Sequence, residues 1–439
     1  MGGRVNDRLS RVAALRPAVR RAANTDRPGA GFRPPESSAI PRLRDGPYIP
    51  EADRLVELLG AFCQRNRYGE HLVVRQWFSE PQECPVSPYS LRLLVPDAAE
   101  KLANPQQWLF LDTETTGLAG GTGTYAFLVG VAWWDAGGLQ VEQFFMRDHT
   151  EEHSLLLELT QRLAERPILV TFNGKSFDWP LLETRYRMTR SITPCAPQAH
   201  LDLLHPARQL WRLRLGSVRL TELERHVLAW DRGWDIPSEL IPQIYFDFLR
   251  GGSQASEAVL SVFRHNQMDL RGLAALAGRI LSLLEEPEAA EGDALELYGL
   301  SRLLRRRGEL FRARRVYERA LGAGLPAAVD RAARRELAAL AKREHDFARA
   351  TSLWEDLLGE SADALEAYEQ LAIYYEHHAR EPHRAAELAR EALAQLRGSF
   401  RAGLIDRGRY AKLCGRFQHR LARLERHSRR AYRPLLGPA

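Results

Sequence analysis

The sequence predicts an α/β domain, a mixed sheet with flanking helices, followed by an all-α solenoid of paired helices. Three observations carry this. Short apolar runs separated by turn residues follow one another from Trp108 to Phe172. Helical spacing dominates from Pro180 to Glu285. After Asp293 the chain is helical and repeats at close to a ~34-residue period.

Residues 1–45 stand apart, with ten arginines against four acidic residues and Pro and Gly scattered after Arg27. A disordered basic arm is expected. A nucleic-acid arm and an organellar transit peptide are the sharper alternatives, and Asp7 and Asp26 count against the second. Residues 46–104 are expected to form a helix from Ala52 to Gln64, then irregular structure rich in Pro and Ser.

The α/β domain is expected over residues 105–285. Trp108-Leu-Phe-Leu-Asp112 is short and apolar, like a buried strand. After a glycine-rich turn from Gly117 to Gly123 come two more strands, Ala126 to Trp134 and Leu139 to Met146. Asp135-Ala-Gly-Gly138 supplies the hairpin turn between them. Leu155, Leu156, Leu159 and Leu163 have helical spacing, and Ile168 to Phe172 reads as a further strand. A three-strand meander, a helix and another strand make a mixed sheet.

The repeats are expected over residues 290–430. Three windows align, starting at Phe311, Arg349 and Arg384. In them Ala313, Ala350 and Ala385 are each followed four residues later by Tyr317, Trp354 or Ala389, and four after that by Leu321, Leu358 or Leu393. This pattern reads as three tetratricopeptide-like helix pairs, each needing its neighbour to bury its apolar face.

The bulk composition is globular: of 439 residues 45% are hydrophobic and 27% charged. The formal charge of +6 favours an anionic partner. Only Lys101, Lys175, Lys342 and Lys412 of the 62 basic residues are lysine, a skew that reads as genomic base composition rather than selection for phosphate. The four cysteines have no paired spacing, so neither a disulfide framework nor a zinc site is expected. A reducing cytoplasm fits best. No apolar run reaches membrane-spanning length, and no membrane partner is expected.

Four segments carry the chemistry. Asp112-Thr-Glu114 ends a strand, and period-two geometry puts both carboxylates on one face. Two adjacent carboxylates repel unless protonated or bridged by a cation. The alternative is a solvated strand end. Asp178 follows the Ile168–Phe172 strand and starts a helix, either as a simple cap or as a metal ligand. His265 and Asp269 are four apart in an apolar-striped helix and share a face. Asp202, in His200-Leu-Asp202, is a reserve candidate for capping or support. Gly174-Lys-Ser176 resembles the tail of a phosphate-binding loop, but the required glycine is replaced by Leu169.

The ordered set resembles the DEDD exonucleases of the RNase H-like superfamily. The strings Asp112-Thr-Glu-Thr-Thr-Gly-Leu-Ala-Gly-Gly-Thr-Gly-Thr-Tyr125, Thr171-Phe-Asn-Gly-Lys-Ser-Phe-Asp-Trp-Pro-Leu-Leu182 and His200-Leu-Asp-Leu-Leu-His205 resemble the bacterial YprB-type subgroup, in which a nuclease-like domain precedes tetratricopeptide repeats. The resemblance implies an RNase H-like fold in which Asp112, Glu114, Asp178 and Asp269 hold two Mg²⁺ or Mn²⁺ ions about 3.5–4 Å apart. The general base maps to His265. The family's histidine subclass has its His five residues before the last Asp, where this chain has Arg264; the four-residue spacing is that of the tyrosine subclass. Thr115, Asn173, Lys175 and Tyr125 lie in the same strings and are the expected substrate contacts, Lys175 for phosphate and Tyr125 for base stacking. Arg185 and Arg187 are further candidates for phosphate. The implied activity is 3′→5′ hydrolysis of DNA or RNA, with single strands as substrate and a protein partner on the repeats. The alternative is a non-catalytic adaptor that keeps the fold as scaffold.

Overall fold

The computed structural model describes residues 51–82, 86–97, 103–117, 121–251, 255–358 and 364–431. The expected basic arm and residues 118–120 of the glycine-rich turn lie outside these.

The sheet has seven strands in the order β1-β2-β5-β4-β3-β6-β7. These are β1 (Phe62–Asn66), β2 (Gly69–Phe78), β3 (Trp108–Thr115), β4 (Ala126–Asp135), β5 (Gly138–Phe145), β6 (Ile168–Thr171) and β7 (Ala199–Asp202). Strands β1 to β5 pair antiparallel along the order, whereas β3, β6 and β7 run parallel, so the sheet is mixed as expected. The β4–β5 hairpin turns on Ala136 and Gly137, both at positive φ, which matches the right-handed twist of the strands it joins.

Three strands were not legible beforehand. The helix expected to reach Gln64 is α1 (Glu51–Leu59); β1 begins inside the expected helix, and the stretch expected to be irregular supplies β2. Strand β1 is a sheet edge with no buried residue, so its sequence lacks the alternation that a half-buried strand requires. Strand β7 interrupts the stretch expected to be helical; at four residues it is too short to display a period.

Side chains alternate across the sheet. Trp108 and Phe110 enter one core, while Leu109 and Leu111 enter the other. The second core is closed by α1, α3 (Glu152–Glu165), α4 (Asp178–Thr189) and α7 (Ile241–Leu249). Helix α2 (Pro88–Leu94), α5 (Leu204–Leu215) and α6 (Leu220–His226) border the first. The long helix α8 (Ala255–Glu285) serves both: Val259, Val262 and Phe263 pack into one, and Leu270, Leu273 and Leu276 into the other. His265, Asn266 and Asp269 fall where the helix changes core.

Beyond α8 the helices pair: α9 (Ala294–Arg306) with α10 (Leu310–Gly322), α11 (Ala327–Arg343) with α12 (Phe347–Glu355), α13 (Ala364–His377) with α14 (Pro382–Arg401), and then α15 (Arg407–Ala431). The repeated small residues Ala313, Ala350 and Ala385 are fully buried, each on the second helix of its pair. The solenoid shares one core with the sheet, which runs from Trp108 through Leu210 and Leu276 to Leu300, Tyr317 and Trp354. Helix α9 lies directly on α5: a Cβ at Gly299 would stand 2.5 Å from the Leu210 carbonyl and 2.6 Å from that of Gln209. Among the described residues no helix is long and apolar enough to cross a membrane.

Candidate active site

Strand β3 outruns its parallel neighbour. Its pairing with β6 ends at Phe110, and its last residues face a crevice at the carboxyl end of β6. Crevices of this kind are where open α/β sheets hold ligands. Asp112 and Glu114 project there, joined by Asp178 from the first turn of α4 and by His265 and Asp269 from α8. The pocket has a volume of about 410 Å³. One ligand atom each from Glu114, His265 and Asp269 lies within 4.8 Å of the others.

Four of these five side chains are held from behind. Asn266 Nδ2 donates to Asp112 Oδ2 at 2.8 Å, and Gln143 Nε2 donates to Asn266 Oδ1 at 2.8 Å. That route needs the space at Gly130 on β4, where a Cβ would stand 2.1 Å from Asn266 Oδ1. Thr113 Oγ1 donates to Asp178 Oδ1 at 2.6 Å. Asp178 is the first residue of its helix and not its cap. His265 Nδ1 lies 2.9 and 3.0 Å from the two oxygens of Asp235. A carboxylate only accepts, so Nδ1 carries the proton and Nε2 faces Asp269 Oδ2 at 3.4 Å and Glu114 Oε1 at 3.8 Å. Arg232, 7% exposed at its side chain, bonds Asp269, Asp235 and Glu224 together.

The electrostatics follow from this crowding. Burial, with Asp269 and Asp178 close by, pushes Asp112 well above the usual carboxylate range. Burial and the charge of Asp112 do the same to Glu114. Burial lifts Asp178 to about 6, against the Thr113 hydrogen bond. Asp235 goes the other way: the bonds from His265 and Arg232 outweigh its burial and hold it low. Arg232 stays firmly charged, its carboxylate partners outweighing burial. Buried carboxylates crowded together in this way have the donor chemistry of a divalent-cation site.

The other expected contacts divide. Thr115 and Asn173 line the pocket. Lys175 does not; it is exposed over a separate cavity of about 210 Å³ that also touches Val95 and Arg307. Tyr125 is already occupied: its ring stacks on His149 at 4.3 Å, and the Arg185 guanidinium lies 3.8 Å from its centroid. Arg185 is buried in a pair with Glu152, so it is unavailable to phosphate. Asp202 supports the loop after β6, accepting from Asn173 N at 2.8 Å and Lys175 N at 3.1 Å, and it also accepts from Leu204 N at the start of α5. Arg232, Asp235, Asn266 and Gln143 were not singled out beforehand. Asn266, adjoining His265 on the striped helix, carried the only local signal.

A model of the RNase H superfamily matches residues 109–281, which contain all four acids and His265. "Uncharacterized protein YprB" of Bacillus subtilis (strain 168) is 32% identical over 296 residues, spanning 66% of this chain and 70% of that protein.

Proposed function

Because the chain belongs to the YprB family, with its RNase H superfamily domain, we propose that it is a metal-dependent nuclease of the DEDD type that hydrolyses DNA or RNA from the 3′ end. The observation that carries this reading is the convergence of Asp112, Glu114, Asp178 and Asp269 on one pocket, beside a histidine oriented by its own carboxylate. Two Mg²⁺ or Mn²⁺ ions held by these acids would supply water acidity and stabilise the leaving 3′ oxygen.

The remaining roles belong to the chain. His265 accepts the proton of the attacking water at Nε2, the ring nitrogen that Asp235 leaves free. Asp235 fixes the ring and stabilises the imidazolium that forms, as a carboxylate behind a catalytic histidine does. Arg232 holds Asp269 in place, and Asn266 does the same for Asp112. Thr115 and Asn173 border the phosphodiester. The solenoid offers a surface to a protein partner.

The test uses end-labelled single- and double-stranded DNA and RNA with Mg²⁺ or Mn²⁺, resolved by product length. A ladder shortening from the 3′ end is expected, abolished by EDTA and by Asp112→Asn or Asp269→Asn. No cleavage of any substrate under either metal would overturn the reading and favour the adaptor.

A further inference from the structure

A second groove opens from the same acidic centre. Asn173, Ser238, His265 and Asp269 line both it and the pocket, so the two are continuous. The groove, about 580 Å³, runs along α5 to the start of α6 and carries Arg208, Arg212 and Arg219. Arg208 and Arg212 are four apart on α5, so they stand on one helix face about one turn apart.

Arginine is abundant in this chain, so its presence alone says little. Its pairing says more. Arg214, on the same helix, bonds Glu296 at 3.2 Å, and Arg232 at the centre bonds three carboxylates. Among the described residues, no carboxylate pairs with Arg208, Arg212 or Arg219, and all three are exposed. The only carboxylate lining their groove is Asp269, at its inner end, already held by Arg232. Three guanidinium groups left without an internal anion, in a groove leading to a phosphodiester-cleaving centre, match an anionic polymer. On the pocket side, Phe177 is 60% exposed and presents a ring to an unpaired base.

We propose that this groove seats the phosphate backbone of a single nucleic-acid strand whose scissile linkage lies over the acidic centre. The proposal rests on the nuclease reading for the position of the cut, but not for binding itself. Each arginine takes a backbone phosphate, so the contacts hold the strand without reading its sequence.

The test measures binding of fluorescein-labelled 20-nucleotide oligo(dT) and oligo(rU) to the full chain by anisotropy in EDTA, where no cleavage occurs. The triple variant Arg208→Gln, Arg212→Gln, Arg219→Gln is compared with a charge-matched triple variant on the solenoid, Arg401→Gln, Arg407→Gln, Arg409→Gln. Loss of three phosphate contacts should lower the slope of log affinity against log salt by about 2, at ~0.7 per contact on a single strand. It should raise Kd at least tenfold, with the solenoid variant unaffected. Equal effects of both variants, no binding by the wild type, or equally tight binding of a 20-base-pair duplex would overturn the proposal. Groove-dependent binding without metal-dependent cleavage would sink the nuclease reading and leave the groove standing. Cleavage with binding untouched by the groove variant would do the reverse.

Discussion

Replacing Asp178 by Asn should stabilise the metal-free protein. Its carboxyl is pushed up to about 6 by burial, from an ordinary value of 3.8. A shift of about two units corresponds to about 3 kcal/mol of penalty on the ionised form. Because the folded-state pKa is raised, the native state binds the proton more tightly than the unfolded chain does. The penalty is therefore absent below about pH 4, grows as pH rises from there to the folded value near 6, and is complete by pH 8. Asparagine removes it. Against this, an acidic side chain in the first turn of α4 favours the helix by about 0.3–1 kcal/mol, which the substitution forfeits. The net gain at pH 8 is about 2 kcal/mol, a rise of a few degrees in Tm. The assay is thermal unfolding in EDTA at pH 4, 6 and 8, repeated with Mn²⁺. Wild type should recover part of the deficit with Mn²⁺, and the variant less. A variant melting at or below wild type at pH 8 in EDTA, or a gap that does not close on acidification, would refute the reasoning.

Asp235→Asn should lower kcat about 100-fold with little change in KM, because His265 loses the group that fixes its tautomer; an unchanged kcat would remove His265 from the chemistry. Gly130→Ala should cost about 1–3 kcal/mol and depress cleavage, since its methyl displaces the Asn266 that holds Asp112; a melt and cleavage rate matching wild type would contradict that link. Removing residues 294–431 should leave a fragment that binds a hydrophobic dye and melts without cooperativity, because Leu210 and Leu276 lose the helices packed on them; a soluble fragment with a sharp melt would show the solenoid to be separable.

What the sequence made legible was what obeys a short period or a local rule. The β4–β5 hairpin followed from the turn residues Asp135-Ala-Gly-Gly138, two of which the structure places at positive φ, and the repeats from Ala313, Ala350 and Ala385, whose small size is required by close helix packing. Asp112, Glu114, His265 and Asp269 were legible because strand and helix spacing put each pair on one face. The edge strand β1 and the four-residue β7 were hidden for want of a period. Asp235 and Arg232 were hidden for a different reason. They lie in a loop, about thirty residues before α8's His265, where nothing local signals that a carboxylate will meet an imidazole. The candidate contacts Tyr125 and Arg185 each have a partner inside the protein, and pairing depends on distant chain. For the same reason Arg208, Arg212 and Arg219 stood out only once their neighbours were known.

The most direct measurement is anomalous diffraction from crystals grown with Mn²⁺ and an uncleaved oligonucleotide. Density for Mn²⁺ between the carboxylates of Asp112, Glu114, Asp178 and Asp269 is expected, with the scissile phosphate beside it. Manganese bound elsewhere, with this pocket empty under conditions that support cleavage, would contradict the assignment of the centre.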